Sequence, residues 1–541
     1  MPEQTIASRY AADATAREPI LDIVRLCARV TIPSILPPLE MAKNPNTGEL
    51  LPQNYQDTGA SGIESLAGQM LLGLFPPDVP FITMMPSAEV LHDQSIPDAV
   101  KQAIIAALQV REILFMAALE SGVVQTKGRR YRRTNFRSSK RSTLEALLAT
   151  GDTLERMTDD FRFNRFRRDK YVTKRDSCGN VLYHIVIENF DALSIDNAET
   201  NLQKAGLNYS EFADKPVSER MVDLYTDVQW QPQSKVWLTR QELNGKVINE
   251  SQDEVSAWIS TPYELPDGED YGRGFIERRL GSLRSLDTLH EKLLDWAALA
   301  SYMLTCVDNA SEFREKDLTK PSGSVSRGAR VSGGMVQDVA FLALGEKLRD
   351  FMIVDKAIDR LERRLNRSML NEIDMQPHKD RVTATQIDSI REAVMGATSG
   401  VYATISDDQQ LPMVDRGMWL LAKQGKFKPL PEGTVEVRTL TGISALGRQA
   451  KARDIESLFA EVGQIAPDLI ERFDKNVLLE VLARYKNINE PGLILTREQW
   501  AEKQRADARQ QIALAAAGKA IDTGGNVIEN AAAAQATPAS A

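Results

Sequence analysis

The stretch RGFIERRLGSLRSLDTLHEKLLDWAALASYM at 273–303 and its counterpart EKLRDFMIVDKAIDRLERRLNRSMLNE at 346–372 decide how the rest of the chain is read. In the first, Ile276, Leu280, Leu283, Leu286, Leu289, Leu293 and Leu294 recur at helical spacing on one side. In the second, Phe351, Val354, Ile358, Leu361, Leu365 and Met369 lie three or four apart, with Asp355, Lys356, Asp359, Arg360, Arg363 and Arg364 on the other faces. At 1.5 Å of rise per residue the first helix runs ~45 Å, longer than a globular helix generally needs. Between them the helical pattern is lost, and nine of the fourteen residues at 321–334 are Gly, Ser or Pro. Two long helices bracketing a small turn-rich module predict a stalk with an exposed tip, the kind of surface where partners dock.

Working outward toward the C-terminus, Pro377 breaks the second helix, and Thr383 with Gln386 forms a capping box for a new helix carried by Ile387, Ile390, Val394, Ala397, Val401 and Ile405. A short polar loop is left suspended between the two helices. Beyond Pro431 the segment 444–485 reads as helix, with Leu458, Val462, Ile465 and Leu469 as one stripe. At 512–541 twelve of thirty residues are Ala, which reads as a frayed tail.

Toward the N-terminus, 171–260 reads as strands. Asn244-Gly245 between Gln241–Leu243 and 246–248 is the strongest hairpin signal in the chain, and Cys178-Gly179-Asn180 marks a second turn. These strands predict a compact antiparallel lobe. Before them lie three apolar helices: one within 1–30 that stops at Pro33, one at 59–75, and one at 97–120. The last, with Ile104, Leu108, Ile113, Leu114 and Ala117, has a face broad enough to be packed on both sides. Between the third helix and the strands, 127–141 holds eight Lys/Arg and no Asp/Glu, with Tyr131 and Phe136 interleaved. Arg129, Arg130, Arg132 and Arg133 of this window read either as a phosphate-binding patch or, preferably, as a loop facing acidic surface on a neighbouring subunit or solvent.

The fold class is therefore α+β, predominantly helical, in a chain of 541 residues. The balance of 66 Lys+Arg against 75 Asp+Glu leaves a net charge of −9, which argues against a protein that grips nucleic acid over its whole surface. Cys27, Cys178 and Cys306 are widely separated, with neither zinc-ligand spacing nor a disulfide framework, and suit a reducing compartment. No stretch approaches the ~18 apolar residues of a membrane span, so the expectation is a protein made in the cytoplasm with no membrane partner. The sequence holds no phosphate-loop, H-E-x-x-H, EF-hand or G-x-S-x-G pattern, and no cofactor or metal is expected. Dispersed carboxylates can still converge as nuclease metal ligands do, which keeps a DNA-processing enzyme as a rival reading.

Several strings together carry a resemblance. Thr31-Ile32-Pro33-Ser34, Gly59-Ala60-Ser61-Gly62-Ile63 through Leu74-Phe75-Pro76, and Arg175-Asp176 with Gly179-Asn180-Val181-Leu182 come first. Tyr271-Gly272-Arg273, Leu280-Gly281-Ser282-Leu283-Arg284-Ser285-Leu286, Arg381-Val382-Thr383-Ala384, Gly400-Val401-Tyr402 and Gln410-Leu411-Pro412 follow in order. In this colinear order, from about 20 to 500, the chain resembles the portal (head-to-tail connector) proteins of short-tailed bacteriophages.

The resemblance implies a ring, generally of twelve copies, at one vertex of the virion, with a wing, a two-helix stem around a clip, a channel loop and a crown. Carried onto this chain, the wing would be 1–270, the stem 271–303 and 345–371, the clip 304–344, the channel loop 372–382, the long wing helix 383–432, the crown 433–500 and the flexible tail 501–541. It further implies double-stranded DNA passing through without sequence readout, a packaging terminase and then a tail adaptor docked at the clip, and contacts with major capsid and scaffolding proteins. His378, Lys379 and Arg381 would then be sparse phosphate contacts, although Asp380 and Arg381 can equally pair near a helix start. Arg314, Lys316, Lys320, Arg327 and Arg330 would form the docking surface, unless the clip is a solvated loop. Twelve helices at ~10 Å spacing enclose a ring ~38 Å across with a bore of ~28 Å, enough for a duplex and its water. Tight binding would stall passage, so a mostly acidic wall with few basic contacts is expected. A tail adaptor ring without portal function is the remaining rival.

Overall fold

The structure is a computed structural model that describes residues 5–43, 51–76, 80–121 (except 94), 135–301 (except 196), 348–369, 400–428 and 433–439, with short pieces between 304 and 342 and between 455 and 500. Thr5 caps the first helix, α1 (Ile6–Arg29), its hydroxyl accepting from the Ser8 amide at 3.2 Å. Leu21, Val24, Cys27 and Ala28 form the buried stripe, and Pro19, inside the helix, lies on the exposed side. Then come α2 (Thr58–Leu74), β1 (Ile82–Pro86), α3 (Asp98–Ser121) and α4 (Phe136–Thr150). On α3, Leu108, Phe115 and Leu119 are buried, but Val110 and Ile113 are 55% and 56% exposed. Within this chain the broad apolar face is thus covered on one side rather than both.

Three short strands make one small sheet, in which β2 (Asp152–Met157) lies between β3 (Phe163–Phe166) and a later strand at 258–262. The lobe expected from the sequence is a five-stranded antiparallel meander, β4 (Tyr171–Arg175), β5 (Val181–Asp191), β6 (Met221–Gln231), β7 (Val236–Leu243) and β8 (Lys246–Asp253). Asn244 and Gly245 both take positive φ, 51° and 73°, which matches the twist of a two-residue hairpin. Asp176 builds the other turn by accepting from the amides of Cys178 (2.9 Å) and Asn180 (2.8 Å). β9 (Trp258–Pro262) returns the chain to β2.

The stalk follows, as α5 (Leu280–Ser301), β10 (Leu304–Val307), β11 (Val331–Ser332), β12 (Met335–Val336), β13 (Val339–Leu342) and α6 (Leu348–Ser368). The helix begins at Leu280, not 273. The preceding residues are held by the end of α4, Ile276 N donating to Leu148 O (3.3 Å), and by the turn after β9, Arg273 N donating to Glu264 O (2.7 Å), so the chain enters through a 3-10 turn at Glu277–Arg279. A Cβ on Gly272 would lie 2.3 Å from the Gly151 carbonyl oxygen, so only glycine fits this crossing.

After residue 400 the helix passes through a single π turn, Ser406–Gln410, into α7 (Leu411–Lys423), and β14 (Val435–Thr439) pairs antiparallel with β1. Residues 435–439 belong to the first compact unit, 1–443, because their backbone completes the β1 ladder, and the second unit begins at 444. Among the described residues the second unit contributes a helical stretch at 455–462, where Leu458 is 51% exposed. The main core of the first unit joins α2, α3, α4 and α7 to the near ends of α5 and α6, through Ile63, Leu66, Phe115, Leu147, Leu286 and Leu365 among others. Each such side chain withdrawn from water is worth ~1.5–3 kcal/mol.

Candidate functional site: a paired helix stalk and its strand-closed base

Helices α5 and α6 run antiparallel in contact. Arg279 Nε donates to Ser368 Oγ (3.0 Å), Arg364 Nη2 to Ser282 Oγ (2.7 Å), and the rings of Trp296 and Phe351 stand 4.9 Å apart toward the far end. His290 Nε2 lies 3.4 Å from a Glu362 oxygen, while Asp287 accepts from the Tyr55 amide at 2.8 Å and ties the pair to the chain before α2. Leu283, Leu286, Ile358, Leu365 and Met369 are buried, as the spacing predicts. Leu294, by contrast, is 54% exposed, since Leu293 beside it takes the inward position. Met369 enters the core only because Gly62 on α2 has no side chain there: a Cβ would meet the Met369 sulfur at 2.0 Å. The Gly59–Ile63 string of the resemblance thus marks where α2 meets the stalk.

Beyond the helices the chain is closed by an antiparallel pair, Leu304↔Leu342 through Val307↔Val339, and a second ladder joins Val331–Ser332 to Met335–Val336. The described strands thus pair the two segments of chain that flank the turn-rich stretch. Arg330 is described and exposed; Arg314, Lys316, Lys320 and Arg327 lie outside the described residues. So does the channel loop with His378, Lys379 and Arg381, and so do Arg129, Arg130, Arg132 and Arg133.

The described part of the basic window corrects its reading as an exposed patch at one position. Lys140 is fully buried, its Nζ 2.6 Å from Glu155 and 3.9 Å from the centre of the Phe163 ring. Glu155 also accepts from Thr143 Oγ1 and, at 3.1 Å, from Gln409 of the π turn. Burial pushes the Lys140 ammonium down and the Glu155 charge opposes it. The sequence did hold the signal: Phe136, Lys140, Thr143, Leu144 and Leu147 follow helical spacing, so Lys140 lies on the buried stripe. Arg137 reaches Glu120 (3.2 Å) and the Pro76 carbonyl, and Arg141 pairs with Glu145 one turn on.

Over α5 and α6 the sequence has eight Lys/Arg against seven Asp/Glu, near balance rather than the acid excess of the whole chain. Among the described residues no group of three or more His, Cys, Asp or Glu is placed to hold a metal ion, and no helix is long and apolar enough to cross a membrane.

The chain is 28% identical to the portal protein of Escherichia phage T7 over 99% of this chain and 95% of that one. It is 29% identical to the portal protein of Enterobacteria phage T3 over 90% of this chain and 87% of that one. The portal protein of Pseudomonas phage phiKMV is 22% identical, with 84% of each chain covered. With the family pattern matching from residue 3 to residue 491, across the helices, sheets and stalk just described, the chain belongs to the bacteriophage head to tail connecting proteins.

Proposed function

We propose that this protein is a phage portal, a structural ring at one capsid vertex through which double-stranded DNA is packaged and ejected. The observation that carries the reading is the family match over 3–491, joined by relatives named portal protein that align over 84% to 99% of this chain. The antiparallel α5–α6 pair and the strand pairs beyond it support the reading of 271–371 as stem and clip; the ring would hold twelve copies. A near-neutral stem suits passage: every phosphate neutralised adds affinity that must be lost again before the next segment moves, while a strongly acidic wall would oppose entry. His378, Lys379 and Arg381 are then the sparse, sequence-independent contacts, and the clip, with Arg314, Lys316, Lys320, Arg327 and Arg330, docks the terminase and afterwards the tail adaptor. Capsid and scaffolding proteins surround the ring.

Negative-stain imaging of the purified chain tests the core of this reading: rosettes with a central hole are expected, and a compact monomer overturns it. Lys379→Ala with Arg381→Ala is expected to impair packaging or DNA retention; unchanged values for both would remove the loop from the mechanism. Deleting 312–333 is expected to abolish terminase and adaptor capture in a pull-down while the ring still forms, and retention of both partners would refute clip docking.

A further inference from the structure

A cleft of about 1200 Å3 opens between one end of the five-stranded sheet, α7 and the β1–β14 pair. One wall is a row of apolar side chains crossing three strands. Trp230 and Trp237 are directly opposed on β6 and β7 with rings 5.4 Å apart, and Leu182, one residue beyond the Tyr183–Gln229 pair, is 42% exposed beside them. The other side carries Asp408 of the π turn, Asp415 of α7 and Glu254.

The cleft is short of positive charge. Its two lining guanidiniums are already engaged: Arg175 with Asp152 (3.8 Å), the Gly179 carbonyl (2.9 Å) and Ser260 Oγ (2.8 Å), and Arg111 with the Lys428 carbonyl (2.9 Å) and the Phe427 ring. Trp419 is taken as well, flanked by Arg416 and Lys423 at 4.4 Å and donating to Glu254 at 3.3 Å. Asp408 and Asp415 have no cation within 4.0 Å among the described residues. Burial in the cleft wall pushes the Asp408 carboxyl up to about 6. Two half-buried tryptophans facing carboxylates with no close cation among the described residues, Arg175 acting on Asp408 only at longer range, suit a peptide that brings both cations and an aromatic ring.

The sequence carries one segment of that chemistry, KGRRYRRT at 127–134, with five Lys/Arg, one Tyr and no Asp/Glu. It lies outside the described residues, and stem, clip and channel loop leave it without a role. Its two roots are together, because Arg137 at the start of α4 pairs with Glu120 at the end of α3. The thirteen residues 122–134 therefore project at most ~22 Å out and back. About 15 Å of helix separates that root from Arg111, the last α3 residue lining the cleft. Charge complementarity selects this segment, and a neighbouring copy in the proposed ring can present it to the cleft. We propose that the cleft receives residues 127–134 of a second copy of this chain. The inference rests on the portal reading only in needing two copies in contact.

A synthetic peptide of residues 126–135 added to the full chain is expected to quench tryptophan fluorescence, with binding weakened about tenfold by Asp408→Asn with Asp415→Asn and by Trp237→Ala. The Asn pair relieves buried charge and should fold. A peptide with all its Arg replaced by Gln is expected not to bind; equal binding by both peptides, or by the wild type and the Asn pair, overturns the proposal. Arg132→Cys with Leu182→Cys, in a Cys178→Ser background, is expected to give a ladder of covalent oligomers under mild oxidation. A disulfide confined to single chains, or none, overturns the second-copy assignment. Chains that stay monomeric yet bind the peptide would sink the ring while supporting the cleft's specificity.

Discussion

Lys140 and Glu155 show what a buried ion pair does in this core. Together with Thr143, Gln409 and the Phe163 ring they join α4, β2, β3 and the π turn, so removing one partner leaves the other charged in an apolar site. Lys140→Ala is expected to cost ~3–5 kcal/mol, and Lys140→Met with Glu155→Leu much less, read by urea unfolding. His184 gives a pH dependence. It is fully buried, its Nδ1 2.9 Å from Thr173 Oγ1, and burial with Arg175 nearby pulls it down to about 3 from 6.5. A depressed histidine stays neutral in the folded state while the unfolded chain takes up the proton, so stability is lost as pH falls from about 6.5 toward about 3. Between pH 7 and pH 5 this group alone removes ~2 kcal/mol, and His184→Gln is expected to flatten the unfolding free energy over that interval by that amount. An unchanged pH slope would contradict the assignment.

Among the elements, the turns and helix stripes were legible because each needs only local chemistry. Asn244-Gly245 dictates its hairpin, and Gly245→Ala, with φ at 73° but open space around it, is expected to cost ~1 kcal/mol. Gly272→Ala must also displace the Gly151 backbone and is expected to lower stability by ~1–3 kcal/mol, both measured as shifts in thermal midpoint. The strand β2 was not legible. Its Asp152 and Glu155 are buried, held by Tyr171 and Arg175 in one case and Lys140 in the other, so the alternation of apolar and polar residues that announces a strand is erased. The start of α5 was misplaced for a related reason. Ile276 continues the apolar spacing, but the close crossing of Gly151 and Gly272 is a tertiary fact that holds the chain in a tighter turn until Leu280. Lys140 was read from composition when its phase on α4 already pointed inward.

At the scale of the whole molecule, the colinear strings mark the points where distant parts of the chain pack closely, which is why a resemblance in sequence found the fold that periodicity alone outlined. Gly62 admits Met369, and Gly272 meets Gly151. The near-neutral α5–α6 pair leads to a prediction at this scale under the proposed portal reading: rings of the purified chain should hold linear duplex weakly, with a shallow dependence of affinity on salt, and a steep slope of many released ions would contradict the proposed free passage.

The first helix adds a matter of timing. The amides of Ile6 and Ala7 find their acceptors on the carboxylate of Glu242, at 2.6 and 3.1 Å, across 236 and 235 residues of chain. A ribosome adding ~5–20 residues each second needs on the order of 10–50 s to make that acceptor, and during this wait the start of the helix has emerged with those amides lacking it. Biosynthesis thus opens a window in which a nascent subunit can associate wrongly with others before its own seventh strand arrives, and host chaperones have most to do there.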